Sequence, residues 1–99
     1  MKLISYHSYH KTIRKFLDNQ LVYQKFEYKL ELYKSGIITY SDSFPLHTVL
    51  DISFKSFTNG EGLVYLHTNR GLYSYYVKAE PKEFIREFKK LKSINKRKR

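Results

Sequence analysis

Cysteine is absent from this chain, alanine occurs once (Ala79), and there are only two prolines and four glycines. Without cysteine, disulfides and thiolate zinc sites are excluded. No window approaches the roughly 18 apolar residues that a membrane-spanning helix requires. The opening stretch, Met1-Lys2-Leu3-Ile4-Ser5-Tyr6, has no apolar run of the length a secretory leader needs. A cytoplasmic protein is the expectation. One alanine beside abundant Lys, Ile, Asn and Tyr fits an A/T-rich genome, and a bacterial source is expected. Enough apolar sequence is present for a core: 41% of the 99 residues, a globular rather than a disordered composition. One domain is expected at this length.

Acidic residues are missing from one region in particular. From Lys89 to Arg99 there are seven Lys or Arg and no acid, whereas residues 1–88 hold twelve basic residues against nine acidic. The net charge of +10 is therefore concentrated at the C-terminal end, and the remainder is nearly balanced. A strongly basic surface over the whole domain is not indicated.

The apolar periodicity is that of a β-protein. "KFEYKLELY" (25–33) alternates strictly, with Phe26, Tyr28, Leu30 and Leu32 on one face. "KSG" (34–36) is a turn signal, with Gly36 free to take positive φ, and "IITY" (37–40) is the returning arm. "SDSFP" (41–45) is a polar break. "TVLDISFK" (48–55) places Leu50, Ile52 and Phe54 on one face, and "LVYLHT" (63–68) and "LYSYYVK" (72–78) follow after turns at 58–62 and 69–71. Short turns between consecutive strands mark an antiparallel meander that curls into a barrel or sandwich. After Val77 the period changes. Phe84, Ile85, Phe88 and Leu91 form a helical stripe over 80–92. Pro81 sits at its start, with acids early and lysines late, matching the helix dipole. Residues 2–9 read as a strand. Residues 11–19 stay open, because Ile13, Phe16 and Leu17 suit a short helix better than a strand ending in an Asp-Asn turn. Ser93–Arg99 is expected to be a disordered basic tail.

Two stretches, "YKLELYKSGIITYSDSFPLHTVLDISF" and "GLVYLHTNRGLYSYYVKAEPKEFIREFKKL", resemble bacterial pleckstrin-homology-like (PH-like) proteins. The resemblance covers about residues 25–92. It implies a mainly β fold with one helix: a seven-stranded antiparallel bent barrel, or two packed sheets, capped by the C-terminal amphipathic helix, in a single domain over 1–92. Only five strands are evident after residue 24, so the N-terminal segment is left to supply the others. The resemblance implies little about activity: PH-like folds serve as binding modules for lipids, peptides or other domains, and fold does not fix function. Lys29 and Lys34 match only part of the basic pattern that flanks the first hairpin of phosphoinositide binders, so no lipid site is carried over.

Catalytic and ligand signals are thin. "RGLYSYYV" (70–77) shares only Arg70-Gly71 with an RNA-recognition strand, and Tyr73, Tyr75 and Val77 read as core, with Tyr76 the one outward aromatic. His7 and His10 lie three apart, which on a strand puts them on opposite faces. A zinc site needs further ligands, and His47 and His67 are unplaced. No serine sits in a nucleophile elbow. The four glycines all read as turns, so no phosphate loop is present. No metal or cofactor is expected. The expectation is a non-enzymatic binding or scaffold module, its partner a protein met at a sheet edge or an open barrel end. Anionic membrane or nucleic acid is the alternative, contacted through Lys89, Lys92, Lys96, Arg97, Lys98 and Arg99 in salt-screened fashion. That alternative allows a peripheral position at the membrane, and free edge strands allow a homo-oligomer.

Overall fold

A computed structural model describes residues 2–97. Seven strands form one antiparallel sheet: β1 (Ser5–Leu17), β2 (Gln20–Tyr33), β3 (Gly36–Ile38), β4 (Ser43–Pro45), β5 (Val49–Ser56), β6 (Gly62–Thr68) and β7 (Gly71–Val77). A single helix, α1 (Lys82–Arg97), follows. The strand order is β4-β3-β2-β1-β7-β6-β5. The meander therefore folds back once, so that β7 docks beside β1 and both halves share one sheet. The N-terminal segment contributes one strand. The missing seventh is "SFP" (43–45), where a three-residue strand pairs with β3 inside what reads as a polar break.

The sheet stays open. β4 and β5 lie at its two ends and are not paired with each other, so a closed barrel is not reached. β4 is too short, and ends in a proline that lacks the N–H a ladder needs; a 3-10 turn over Leu46–Thr48 then separates it from β5. Yet the sheet is far from flat. Four strand spacings separate β4 from β7, about 19 Å in a flat sheet, but the rings of Phe44 and Tyr73 meet edge to face at 4.9 Å.

The concavity this bend creates is filled by the helix stripe. Phe84 and Phe88 are fully buried, with Leu30, Leu32, Ile37, Val49, Ile52, Val64, Leu66 and Val77 around them. Pro81 sits one residue before the helix and accepts its first hydrogen bond, from the Ile85 N–H (3.1 Å). The helix does not stop at residue 92. It runs on through Ser93–Arg97, a stretch expected to be disordered; Lys96 and Arg97 there are good helix formers and complement the negative end of the dipole. A second departure lies in β5. The ladder slips between Val49 and Asp51, so Leu50 is the extra residue of a bulge and faces solvent while Val49 and Ile52 are buried. Strict alternation puts Leu50 inside; the bulge reverses it.

Gly36 fixes the β2–β3 corner. Its φ is +152°, and a Cβ there would overlap the carbonyl oxygen of Phe44. Gly36→Ala is expected to lower stability by at least ~2 kcal/mol through strain and backbone displacement, seen as a fall of roughly 10 °C in thermal midpoint.

Candidate functional site

β1 and β2 pair over thirteen rungs, from Ser5↔Leu32 to Leu17↔Gln20. Only the first part of this ladder is supported from the sides. β7 meets β1 at His10, and β3 covers β2 from Glu31 to Tyr33. The seven rungs from Lys11↔Phe26 outward leave the body as a free two-stranded arm, about 20 Å long at strand rise. The molecule accordingly measures 58 × 27 × 25 Å, and its radius of gyration of 15.3 Å exceeds the roughly 13 Å of a compact domain this long.

The arm ends in Asp18-Asn19, with φ of 51° and 61°. Both central residues are left-handed, as in the I′ turns that match hairpin twist, and Asp and Asn tolerate this conformation. This settles residues 11–17 as strand, with Asp18 and Asn19 as the turn that closes it. An isolated helix of eight residues is marginal, whereas this stretch extends a ladder already set by the rungs in the body.

Side chains divide between two solvent-facing surfaces. Cross-strand register puts Lys11, Ile13, Lys15 and Leu17 of β1 on one face with Val22 and Phe26 of β2. Arg14 and Phe16 share the other with Leu21, Tyr23 and Lys25. Phe16 is 77% exposed, Leu17 57% and Tyr23 57%. Four basic residues thus stand two on each face, and Asp18 in the turn is the one acid between Lys11 and Lys25. Phe16, Leu17, Leu21 and Tyr23 are left exposed, which in a monomer signals a surface that another molecule covers.

At the root of the arm the rings become continuous. Phe26 stacks on Tyr28 (6.0 Å, 12°), and Tyr28 on the exposed Tyr40 (4.3 Å, 20°). Tyr9, buried beneath, meets Tyr75 edge to face at 4.9 Å, and its hydroxyl accepts the Tyr40 N–H at 3.3 Å. Burial pushes the Tyr75 hydroxyl up to about 12, against the opposite pull of a hydrogen bond with Thr39. Tyr76 is raised mainly because its hydroxyl donates to Glu61. The tyrosines of "RGLYSYYV" are therefore committed: Tyr73 to Phe44, Tyr75 to Tyr9, Tyr76 to Glu61. They form no exposed stacking row.

The residues singled out at the C-terminal end lie elsewhere. Lys89 is exposed on α1. Lys92 is half-buried, and its Nζ donates to the Leu46 carbonyl at 3.2 Å, beside the β3–β4 ladder and so at the end of β2 away from the arm tip. Lys96 and Arg97 occupy the last turn of α1, while Lys98 and Arg99 lie outside the described residues. Lys29 sits over the Tyr6 ring at 4.6 Å, and Lys34 is exposed in the β2–β3 turn. The histidines do not converge: His7 Nε2 donates to the Ala79 carbonyl (2.9 Å), and His10 faces Tyr76. Among the described residues no cluster of three or more His, Cys, Asp or Glu is placed to hold a metal. Sequence spacing misses one pair, Ser53 Oγ and His67 Nε2, 2.8 Å apart across β5 and β6. Asp51 is the ladder partner of His67, yet among the described residues no carboxylate hydrogen-bonds the imidazole, so the orienting member of a catalytic triad is missing. No helix among the described residues is long and apolar enough to cross a membrane. Comparison with known protein families, with curated proteins and with solved structures finds no match.

Two predictions follow from the arm and its root. Asn19→Gly keeps the left-handed turn and preserves the arm, whereas Asn19→Val costs the hairpin ~1–2 kcal/mol; amide exchange at Lys15, Leu17 and Val22, whose N–H groups face the partner strand, should accelerate in the valine variant while that of β6 does not change. For Tyr75, the unfolded chain releases its proton near pH 10 and the folded protein near pH 12. The unfolded state therefore holds fewer protons in that window, and stability falls as pH rises through it. Tyr75→Phe should flatten that fall in urea melts followed across the alkaline range.

Proposed function

We propose that the chain is a non-enzymatic binding module of PH-like architecture, and that the β1–β2 arm is the element with which it docks on a partner macromolecule. The seven-strand antiparallel order with the helix last in the chain supports the architectural part. One observation carries the functional part: Phe16, Leu17, Leu21 and Tyr23 are all exposed on a ribbon that stands clear of the body. A two-stranded hairpin is marginally stable by itself in water, and an arm bearing this much apolar surface gains from being covered.

The arm displaces the C-terminal lysines as the leading contact. Lys92 spends its ammonium on a backbone carbonyl, and α1 spends its apolar stripe on the core. A second reading, strand addition by a protein partner, rests on the unpaired edges of β4 and β5. β5 carries its bulge at the near end of that edge, a feature that discourages indiscriminate pairing.

The test separates arm from edge. A photo-crosslinking phenylalanine analogue placed at Phe16 should yield partner adducts in cell extract. The same group at Leu50, which is 61% exposed on β5, should yield few. Replacing residues 14–23 by an Asn-Gly turn between the paired Ile13 and Gln24 should abolish association and leave the thermal midpoint within a few degrees. Adducts at Leu50 with none at Phe16 would refute docking through the arm.

A further inference from the structure

The partner class follows from how the arm distributes charge and apolar surface. A flat protein surface, or a bilayer on which the arm lies, covers one face of a ribbon, and inserting the tip into a bilayer would carry Arg14 and Lys15 towards hydrocarbon. Here both faces need cover: Ile13, Leu17 and Val22 on one, Phe16, Leu21 and Tyr23 on the other. Each face also carries two cations, Lys11 and Lys15 or Arg14 and Lys25, all exposed. A second copy of this chain is disfavoured, because it would bring two such arms, each with four cations and one acid, into one desolvated contact. The environment that encloses a cationic ribbon from both sides is a groove with anionic walls.

Dimensions select among grooves. A ribbon with side chains on both faces is about 10 Å thick, and its two strands are about 4.8 Å apart. The major groove of B-DNA is about 12 Å wide and 8.5 Å deep, and the minor groove only about 6 Å wide. The major groove of duplex RNA is too narrow for side chains to read. We infer that the β1–β2 arm lies lengthwise in the major groove of duplex DNA, one strand edge towards the bases, with Lys11 and Lys15 facing one phosphate wall, Arg14 and Lys25 facing the other, and the apolar residues of the tip against the base edges. Thymine methyls are the apolar features there, so Phe16, Leu17 and Leu21 favour A·T-rich duplexes. This assignment rests on the docking role proposed for the arm and adds the identity of what it docks on.

The experiment titrates the full chain into a fluorescent A·T-rich DNA duplex, a duplex RNA of the same sequence, and acidic phospholipid vesicles, at several salt concentrations. Binding to DNA above RNA is expected, with log K falling linearly in log salt. The quadruple variant K11Q/R14Q/K15Q/K25Q should reduce that slope by about 3–4, as expected for four phosphate contacts. Phe16→Ser with Leu17→Ser and Leu21→Ser should weaken binding, keep the slope, and erase the preference for A·T. Because the substituted positions are exposed or half-buried at most, circular dichroism should show both variants folded. A matching variant with Lys96, Arg97, Lys98 and Arg99 changed to Gln controls for the C-terminal end. No duplex binding, equal binding to RNA, or binding lost only in the C-terminal variant would overturn the assignment. Arm-dependent binding to vesicles without binding to DNA would also overturn it, while leaving arm docking intact. Binding to every probe that ignores both arm variants would remove the docking role as well.

Discussion

β1 is the strand on which the rest of the architecture depends. It pairs with β2 over its whole length and touches β7 at the single register position His10↔Tyr76. Through that junction the four-strand half (β4-β3-β2-β1) and the three-strand half (β7-β6-β5) become one sheet. The junction is reinforced by side chains rather than by a long ladder. Tyr9 packs on Tyr75, His10 on Tyr76, and His7 holds the Ala79 carbonyl in the link that leads to the helix. Aromatic contacts of this kind contribute about 0.5–1.5 kcal/mol each beyond area burial, a sizeable supplement where backbone hydrogen bonds are few.

The same strand has two lives. Its first half is a structural joint, and its second half leaves the fold. The body pays for itself with the bent sheet around Phe84 and Phe88, so the arm is free of any duty to the core. That separation is why arm residues tolerate exposure of Phe16 and Leu17 without disturbing the remainder, and why arm opening is local rather than global. It also places the basic arm and the basic end of α1 apart, since Lys92 is tied to Leu46 near the opposite end of β2. The two cationic regions act as separate features and not as one electrostatic footprint.

Much of the body was legible residue by residue. Alternation through Phe26, Tyr28, Leu30 and Leu32 correctly sorted β2, and the inward set Tyr73, Tyr75 and Val77 correctly sorted β7, because one face of each strand is buried and period two records it. The stripe Phe84, Ile85, Phe88 and Leu91 located α1 for the same reason at period 3.6. Leu50 was misplaced because a bulge adds one residue, and no local pattern announces where a ladder slips. The "SFP" strand was missed because three residues cannot display a period. The arm was the largest omission. Ile13, Phe16 and Leu17 mimic helical spacing, and with both faces exposed neither period is enforced by burial.

By itself, then, the sequence determined the class: antiparallel strands, one amphipathic helix, no thiol chemistry, and a net positive charge. These properties are written in composition and periodicity, which are local. Tertiary structure alone decided that the meander folds back to set β7 against β1, that the sheet bends without closing, and that the last seven of thirteen rungs carry β1 and β2 beyond the body. It also decided which charges are free, taking Lys92 for a backbone carbonyl and leaving Lys11, Arg14, Lys15 and Lys25 in solvent. Each of these outcomes depends on contacts between residues distant in the chain, and a one-dimensional pattern holds no record of which of its equally polar positions will find a partner.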